Sequence, residues 1–139
     1  MAAKPVLRLL DANLNRCREG LRVLEDTARF IHNDARFFRA FRRERHKLDL
    51  LTRNLYPKLL ESRDSLTDEG RALPEGGRAH VDALVFANFR RCEESLRVLE
   101  EYGKLFSARA GSEFKEIRFA VYRLEKEAMR KWKLTHSWQ

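Results

Sequence analysis

An internal duplication constrains the fold of this 139-residue chain more than any other feature of its sequence. The stretch from Ala12 to Glu25, moved forward by 75 positions, falls on Ala87 to Glu100, and ten of the fourteen aligned pairs are identical. The segment that follows matches more faintly at a shift of 76, which pairs Phe38 with Phe114. A two-helix unit cannot bury its apolar face alone and buries it against its copy. The duplication therefore predicts two related hairpins.

The spacing of apolar residues predicts that each unit is helical. In both copies apolar residues recur at alternating intervals of four and three, which is the period of one helix face. The two stripes are Leu10, Leu14, Cys17, Leu21, Leu24, Ala28 and Ile31, and Val85, Phe89, Cys92, Leu96, Leu99, Gly103 and Phe106. We therefore expect an all-α fold, with four main helices forming a duplicated helical hairpin of pseudo-twofold symmetry and a bundle-like shape.

Local signals predict where the helices begin and end within a single domain over residues 1–139. The internal repeats span about 6–59 and 79–134, with helices at 5–31, 34–59, 79–107 and 112–134 and a connecting loop at 61–77. Asn33 or Asp34, and Ser112, are suitable N-caps. Pro57 should end or bend the second helix.

Charge and composition restrict the class of protein. The net charge of +8 favours an anionic partner without choosing among phosphates, nucleic acid and acidic lipid. No stretch is apolar enough for a membrane span or a signal peptide, so we expect a cytoplasmic protein without a membrane partner. Two cysteines and four histidines lack metal-ligand spacing, which predicts no structural metal site.

A second row on the first helix of each copy contains an arginine among apolar residues. The rows are Leu9, Arg16, Val23, Thr27 and Phe30, and Leu84, Arg91, Val98, Tyr102 and Leu105. Asn13 lies near Arg16, and Asn88 lies near Arg91, so each guanidinium has an amide neighbour suited to an anion. The alternative is that a carboxylate from a neighbouring helix neutralises each arginine. The apolar members of this row would also allow a homodimer.

Other repeated residues have ordinary structural interpretations. Glu19, Arg22 and Glu25, with their copies Glu94, Arg97 and Glu100, have a three-residue spacing that suits surface ion pairs. Cys17 and Cys92 lie in the main apolar stripes and are expected to be small core residues.

The basic, aromatic segment from Arg36 to Lys47 raises nucleic-acid binding as a further hypothesis, since aromatic and basic side chains together bind single strands. Its phenylalanines also have the spacing of a helix core, so an ordinary amphipathic helix is the alternative. A nucleotide-binding glycine loop and a serine-nucleophile motif are missing from the sequence.

Several strings resemble a small helical domain that precedes thiamine-phosphate synthase in some bacteria. The similarity covers about residues 6 to 130 and is carried by 10–16, 18–26 and 96–105, by the copy at 88–91, and by the loop 63–70. Ser65 and Glu69 differ from the threonine and valine common in that loop. The resemblance implies a role in thiamine biosynthesis, where the domain has been proposed as an alternative hydroxymethylpyrimidine phosphate kinase.

The resemblance also implies candidate site residues. It assigns phosphate or substrate binding to Asn13, Arg16, Glu19, Arg22, Arg63, Asn88, Arg91, Glu94, Arg97 and Lys104, and it includes Asp64 and Asp68, which we expect to be the catalytic residues. Phosphoryl transfer from ATP would need cations at the phosphates and a carboxylate for Mg²⁺, which Asp64 or Asp68 could hold. One hypothesis is that the 61–77 loop closes over a phosphate bound between Arg16 and Arg91.

An alternative to catalysis is a binding module that holds a phosphorylated pyrimidine or docks on thiamine-phosphate synthase. Such a module needs the arginines but no metal carboxylates. ATP turnover would separate the two hypotheses, and a steep dependence of affinity on salt would identify nucleic-acid binding.

Overall fold

The computed structural model describes residues 4–135 and contains four long helices packed as a bundle. Helix α1 spans Lys4–Asp26 and continues into a π-helical turn at Thr27–Ile31, and α2 spans Ala35–Thr52. A 3-10 turn at Arg53–Leu55 leads into the short α3, Tyr56–Ser62. After a long connection that holds a 3-10 turn at Glu69–Ala72, α4 spans Val81–Gly103 and α5 spans Ala108–Lys131. The all-α prediction is confirmed, because the described residues contain no strand.

Side-chain caps fix where α2 and α5 begin. Asp34 accepts the backbone N–H of Phe37 at 3.1 Å, which confirms the prediction of a cap at residue 33 or 34. Ser107 accepts the N–H of Ala110 at 3.0 Å, so α5 begins four residues earlier than predicted. The predicted cap at Ser112 is wrong, because this residue lies inside α5. Ser107 takes the role since its extended backbone aims the hydroxyl at the first turn.

Pro57 marks the interruption in the second predicted helix. Regular α-helix stops at Thr52, and the chain passes through the 3-10 turn before α3 begins at Tyr56. Proline lacks an N–H and is tolerated in the first helical turn, which is where Pro57 lies in α3. The predicted bend is confirmed, although helical structure extends three residues past the predicted end at residue 59.

The two predicted apolar stripes form the core. Leu14, Cys17 and Leu21 in α1, and Phe89, Cys92 and Leu96 in α4, are all at most 4% exposed. The prediction that both cysteines are core residues is confirmed. The last members of the stripes, Ile31 and Phe106, are instead 60% and 39% exposed. They lie at the hairpin turns, beyond the region where α1 packs on α4 and α4 packs on α5.

The contact between α1 and α4 is close at Gly20. An added Cβ at Gly20 would lie 2.7 Å from Cys92 Sγ and 3.3 Å from the Asn88 carbonyl oxygen. Across the same contact Cys92 Sγ donates to the Cys17 carbonyl at 3.7 Å. The residues of the strongest sequence repeat therefore form the contact between the two hairpins.

The second helices of the two hairpins align differently from the prediction. Arg45 lies 20 residues after Glu25 and binds the Glu25 carboxylate. Arg118 lies only 18 residues after Glu100 and binds the Glu100 carboxylate. The contacts of α2 and α5 thus correspond at a shift of 73 rather than the predicted 76. The π-helical turn of the first hairpin adds residues before α2, and repeated apolar residues alone cannot reveal such a local insertion.

The second apolar row is only partly covered within the described chain. Thr27 is buried, and Val23 and Val98 are half-buried. Phe30 and Leu105, which occupy equivalent positions in the two copies, are 68% and 67% exposed. The homodimer that this row would allow stays a prediction.

Candidate functional site

An open cleft of about 500 Å³ lies where α1 faces α2. We call it the arginine cleft, and its lining residues are Asn15, Arg18, Glu19, Arg22 and Arg45. The other three residues from α1 lie three, four and seven positions after Asn15, so all four share one face of the helix. Arg45 is the contribution of α2.

A buried carboxylate fixes Arg45 at this cleft. Glu25 is 3% exposed, and its Oε1 accepts from Arg45 Nε at 3.2 Å and Nη2 at 3.1 Å. Arg22 Nη1 lies 3.6 Å from Glu25 Oε2. One carboxylate therefore orients two guanidinium groups, each of which carries more donors than this carboxylate uses.

Three further ion pairs border the arginine cleft, and in one of them Arg22 Nε lies 3.6 Å from Asp26 Oδ1. Arg18 Nε lies 3.0 Å from Asp49 Oδ1 on α2. Glu19 Oε1 lies 3.9 Å from Arg91 Nη2, so this pair joins the cleft to α4. The side chains of Arg18 and Arg22 remain 42% and 57% exposed. Exposed guanidinium groups with spare donors are suited to an anion such as a phosphate.

The structure brings only part of the predicted site together. Glu19 and Arg22 line the arginine cleft, and Arg91 contacts its edge through Glu19. Arg16 is exposed and donates to Asn13 Oδ1 at 3.4 Å. Asn13 and Asn88 each donate their amide N–H to a carbonyl one turn earlier in their own helix, at 2.9 and 2.8 Å. The predicted anion pocket of Arg16 and Arg91 stays a prediction.

The start of the connecting segment is attached to α1. Arg63 donates to the buried Asp11 through Nε at 2.7 Å and Nη2 at 3.1 Å, and these hydrogen bonds raise the pKa of Arg63. Arg8 Nη2 donates to the Asp64 carbonyl at 3.3 Å. Asp11 and Arg16 are separated by about 140° around α1 at about 100° per residue, so Arg63 is held away from Arg16. Closure of this loop over Arg16 and Arg91 stays a prediction.

The two predicted catalytic carboxylates lie within turns of the same loop. Asp64 accepts the backbone N–H and the hydroxyl of Thr67, and these hydrogen bonds lower the pKa of Asp64. Asp68 Oδ1 accepts the N–H of Gly70 at 2.9 Å and caps the 3-10 turn. Within residues 4–135 we find no group of three or more His, Cys, Asp or Glu residues that could hold a metal ion.

The second copy has a matching buried pair between α4 and α5. Glu100 is 4% exposed and accepts from Arg118 Nε at 3.1 Å and from Arg97 Nη1 at 2.9 Å. Burial opposes the charge on Arg118, but hydrogen bonds to Glu100 and Tyr122 outweigh it and raise the pKa of Arg118.

The expected ion pairs of Arg22 with Glu25 and of Arg97 with Glu100 do form, but the prediction that they are surface pairs is wrong for both carboxylates. Both glutamates are covered because the second helix of each hairpin packs over them and supplies a further arginine.

Other predicted binding residues of the second copy lie at its surface. Lys104 Nζ lies 3.0 Å from Glu101 Oε1, and this contact lowers the pKa of Glu101. Glu94 is exposed on α4. Neither of these two residues lines the arginine cleft.

Arg18 and Arg45 were missed as site residues by the sequence analysis. Arg18 is replaced by Glu93 in the second copy, so the repeat gives no signal for it. Arg45 is one of several basic residues in its segment, and only packing against Glu25 distinguishes it.

The packing of α2 weakens the aromatic argument for nucleic-acid binding. Phe37 and Phe41 are 1% and 0% exposed, so their rings cannot stack on bases, and Phe38 is half-buried. Arg36 and Lys47 pair with Glu127 and Glu44 at 2.9 and 3.3 Å. The alternative of an amphipathic helix is therefore favoured for this segment. None of the helices in the described residues is long and apolar enough to cross a membrane.

Comparisons with known proteins identify similar sequences over nearly the whole chain. The model of the ThiD2 family matches residues 8–127. A protein of Nostoc punctiforme named thiamine-phosphate synthase is 42% identical over 127 residues, which cover 89% of this chain and 35% of that protein. A protein of the same name from Rhodopirellula baltica is 38% identical over 125 residues, covering 86% of this chain and 33% of that protein. The chain thus spans about a third of the length of these relatives. No solved structure matches it.

Proposed function

Because the chain belongs to the ThiD2 family, we propose that it acts in thiamine biosynthesis, in the cytoplasm, on a phosphorylated hydroxymethylpyrimidine. The relatives that support this role are named thiamine-phosphate synthase. Since the match covers about a third of each relative, the synthase reaction itself is not carried over to this chain.

The arginine cleft is the observation that carries the proposal. A phosphate monoester presents several oxygen acceptors, and Arg18 and Arg22 offer exposed guanidinium donors beside one another. Arg45 is held in place by its ion pair with Glu25 and offers the N–H donors that this carboxylate does not use. Glu19 supplies an acceptor in the same cleft for a hydroxyl or amino group of the ligand. Arg91 would contribute to ligand binding through its contact with Glu19.

The proposed reaction is transfer of the γ-phosphoryl group of ATP to the phosphate of the pyrimidine. A phosphate oxygen of the pyrimidine ester attacks the γ-phosphorus, the bond from that phosphorus to the β,γ-bridging oxygen breaks, and ADP leaves with the electron pair. Arginine donors would stabilise the charge on the transferring group and hold the acceptor phosphate in line. The products are ADP and the pyrimidine diphosphate ester.

Asp64 and Asp68 could hold Mg²⁺ at phosphates in the arginine cleft only if the connecting loop moved, because Arg8 and Asp11 bind the start of this loop about two to three turns before Arg18 on α1. Asp64 and Asp68 are the residues that would hold it, and each already accepts hydrogen bonds within the loop. Two such carboxylates are too few for an all-protein metal cage, but Mg²⁺ at phosphoryl-transfer sites is commonly held by one or two carboxylates together with substrate phosphates. The ion would neutralise charge on the phosphates of ATP when bound.

A product assay tests the proposal. The protein is incubated with magnesium ATP and hydroxymethylpyrimidine phosphate, and the diphosphate product is measured by mass spectrometry. We expect product from the wild type, about tenfold or greater loss of turnover in Arg22→Ala, and little change in Arg109→Ala, whose side chain is 87% exposed outside the cleft. Equal turnover in all three proteins would exclude the arginine cleft as the site.

One observation favours a second candidate, a noncatalytic module that binds the phosphorylated pyrimidine or docks on thiamine-phosphate synthase. Asp64 and Asp68 each stabilise a turn of their own loop, and this structural role explains both carboxylates without a catalytic function. A module of this kind would be stabilised against heat by hydroxymethylpyrimidine phosphate but would form no product with ATP. Product formation would exclude it.

A further inference from the structure

A narrow slot of about 190 Å³ lies between α2 and α5 and shares no lining residue with the arginine cleft. We call it the glutamate slot, and the lining residues used below are Arg36, Ala40, Arg43, Glu44, Ala120 and Arg123. The two alanines, one from each helix, leave space there because their side chains are short. Cavities for drug-sized ligands are about 300–1,000 Å³, so this slot suits a smaller molecule.

Glu44 is the unusual group of the glutamate slot. It is 4% exposed, and its Oε2 accepts from Lys47 Nζ at 3.3 Å. Its Oε1 is buried without a hydrogen-bond partner among the residues the structure describes. A buried acceptor that lacks a donor is costly. Since Glu44 lines the slot, a donor placed in the slot would supply the missing hydrogen bond.

The second half of the chain shows that the fold does not require a carboxylate at this position. At the shift of 73 that relates the contacts of α2 and α5, Glu44 corresponds to Ile117. Ile117 is 3% exposed and lines the corresponding space between the same two helices. Burying a carboxylate where an isoleucine fits is unfavourable unless the carboxylate is paired, and a ligand would supply the partner.

Two arginines at the slot lack a carboxylate partner. Arg43 on α2 and Arg123 on α5 are exposed, and neither forms an ion pair within residues 4–135. Arg36, by contrast, pairs with Glu127 at 2.9 Å. At the shift of 73, Arg123 corresponds to Leu50, so the fold does not require a cation here either. Both exposed side chains can turn aside to admit a ligand to Glu44, and their guanidinium donors suit a carboxylate.

We propose that the glutamate slot binds a small zwitterion, a free α-amino acid, whose ammonium donates to Glu44 and whose carboxylate accepts from Arg43 and Arg123. An inorganic anion would leave Glu44 Oε1 without a donor, and a simple amine would leave both arginines without an acceptor. The inference goes beyond the proposed function, because it needs neither phosphoryl transfer nor the arginine cleft.

The test is calorimetric titration of the full chain with glycine, L-alanine, L-serine and L-valine, which differ in the size of the side chain. The amino acid that binds most tightly is then compared with two analogues. Its 2-hydroxy acid has a hydroxyl in place of the ammonium, and its decarboxylated amine lacks the carboxylate. We expect each analogue to bind about tenfold or more weakly, because each loses charge-assisted hydrogen bonds.

Two variants take their new residue from the other half of the chain. Glu44→Ile and Arg123→Leu should each lower the affinity about tenfold or more. Glu44→Ile should melt at the wild-type temperature or above it, because isoleucine is buried at the corresponding position and the ion pair with the exposed Lys47 contributes little. Arg42→Leu is the matched control, since Arg42 is an exposed arginine on α2 that does not line the slot.

Each outcome decides the inference independently of the diphosphate assay. No binding of any of the four amino acids overturns it, and so does equal affinity for the 2-hydroxy acid, since Glu44 would then make no contact with the ammonium. Unchanged affinity in Glu44→Ile or Arg123→Leu, or an equal loss in Arg42→Leu, also overturns it. If Glu44→Ile does not fold, Arg123→Leu decides alone, because its side chain is exposed.

Discussion

Gly20→Ala tests the close contact between the two hairpins. The new methyl group would lie 2.7 Å from Cys92 Sγ and 3.3 Å from the Asn88 carbonyl oxygen. An ordinary contact of this kind is about 3.5–4.0 Å, so the overlap with sulfur is about 1 Å. Cys92 is fully buried and donates to the Cys17 carbonyl, so its sulfur cannot move aside without losing contacts. The substitution must therefore push α1 and α4 apart.

Two opposing effects set the expected magnitude. Overpacking of this kind costs about 1–3 kcal/mol. Alanine is better than glycine inside a helix by about 0.5–1 kcal/mol. We expect the free energy of unfolding of Gly20→Ala to fall by about 1–2 kcal/mol, which corresponds to a melting temperature lower by about 3–8 °C for a chain of this size.

A double-mutant cycle with Cys92→Ala isolates the contact. Without the sulfur atom the methyl group has space, so Gly20→Ala in the Cys92→Ala background should be neutral or stabilising by up to about 1 kcal/mol. Urea unfolding monitored by circular dichroism measures all four proteins. Gly77→Ala is the control, because an added Cβ at Gly77 meets nothing within 4 Å. An equal cost of Gly20→Ala in both backgrounds would refute the steric explanation.

Three further predictions concern buried polar groups. Glu100→Gln should lower the free energy of unfolding by about 3 kcal/mol in urea titrations, because it leaves the mostly buried Arg118 without its charge partner; a loss under about 1 kcal/mol would contradict this. Burial opposes the charge on Asp34, but hydrogen bonds from Lys131 and the α2 backbone outweigh it and lower the pKa of Asp34. The ionised Asp34 therefore stabilises the folded protein above about pH 4, which is the pKa in the unfolded chain. This stabilisation is lost as the pH falls through the lower pKa of the folded state. The stability difference between wild type and Asp34→Asn should therefore shrink below about pH 4, and parallel pH profiles would refute it. Cys17 and Cys92 are buried, so a thiol reagent should label them slowly in the native protein and rapidly in urea; fast native labelling would be inconsistent with the packing.

The helices could be predicted from the sequence because their signals are local. Apolar spacing in the first helix of each hairpin depends only on the period of an α-helix, and the stripes are buried except at their ends. The cap at Ser112 was wrong because two serines compete near the turn and backbone geometry decides between them. Ser107 has the extended conformation that a cap requires.

The site was predictable only in part, since its residues come from different helices. Glu19 and Arg22 share a face of α1, and both are predicted as site residues from the sequence. Arg45 belongs to the cleft because α2 packs over Glu25, a contact between residues 20 positions apart. Helical periodicity identifies neighbours three or four residues away on one helix, and it contains no information about which neighbouring helix covers them.

The sequence by itself determined the duplication, the helical class and the residues of the core, because each follows from a repeat or from a period of 3.6 residues. Tertiary structure decided which repeated charges are buried and which face solvent. Glu25 and Glu100 each follow an arginine by three residues, which is also the spacing of ion pairs at the surface of a helix. Both are nevertheless buried, because a second helix packs against each of them. Tertiary structure also decided which residue faces each of two equivalent positions whose charges already differ in the sequence. Arg18 has an acidic partner, whereas Glu93 meets another acid, since the residue facing each comes from a separate helix.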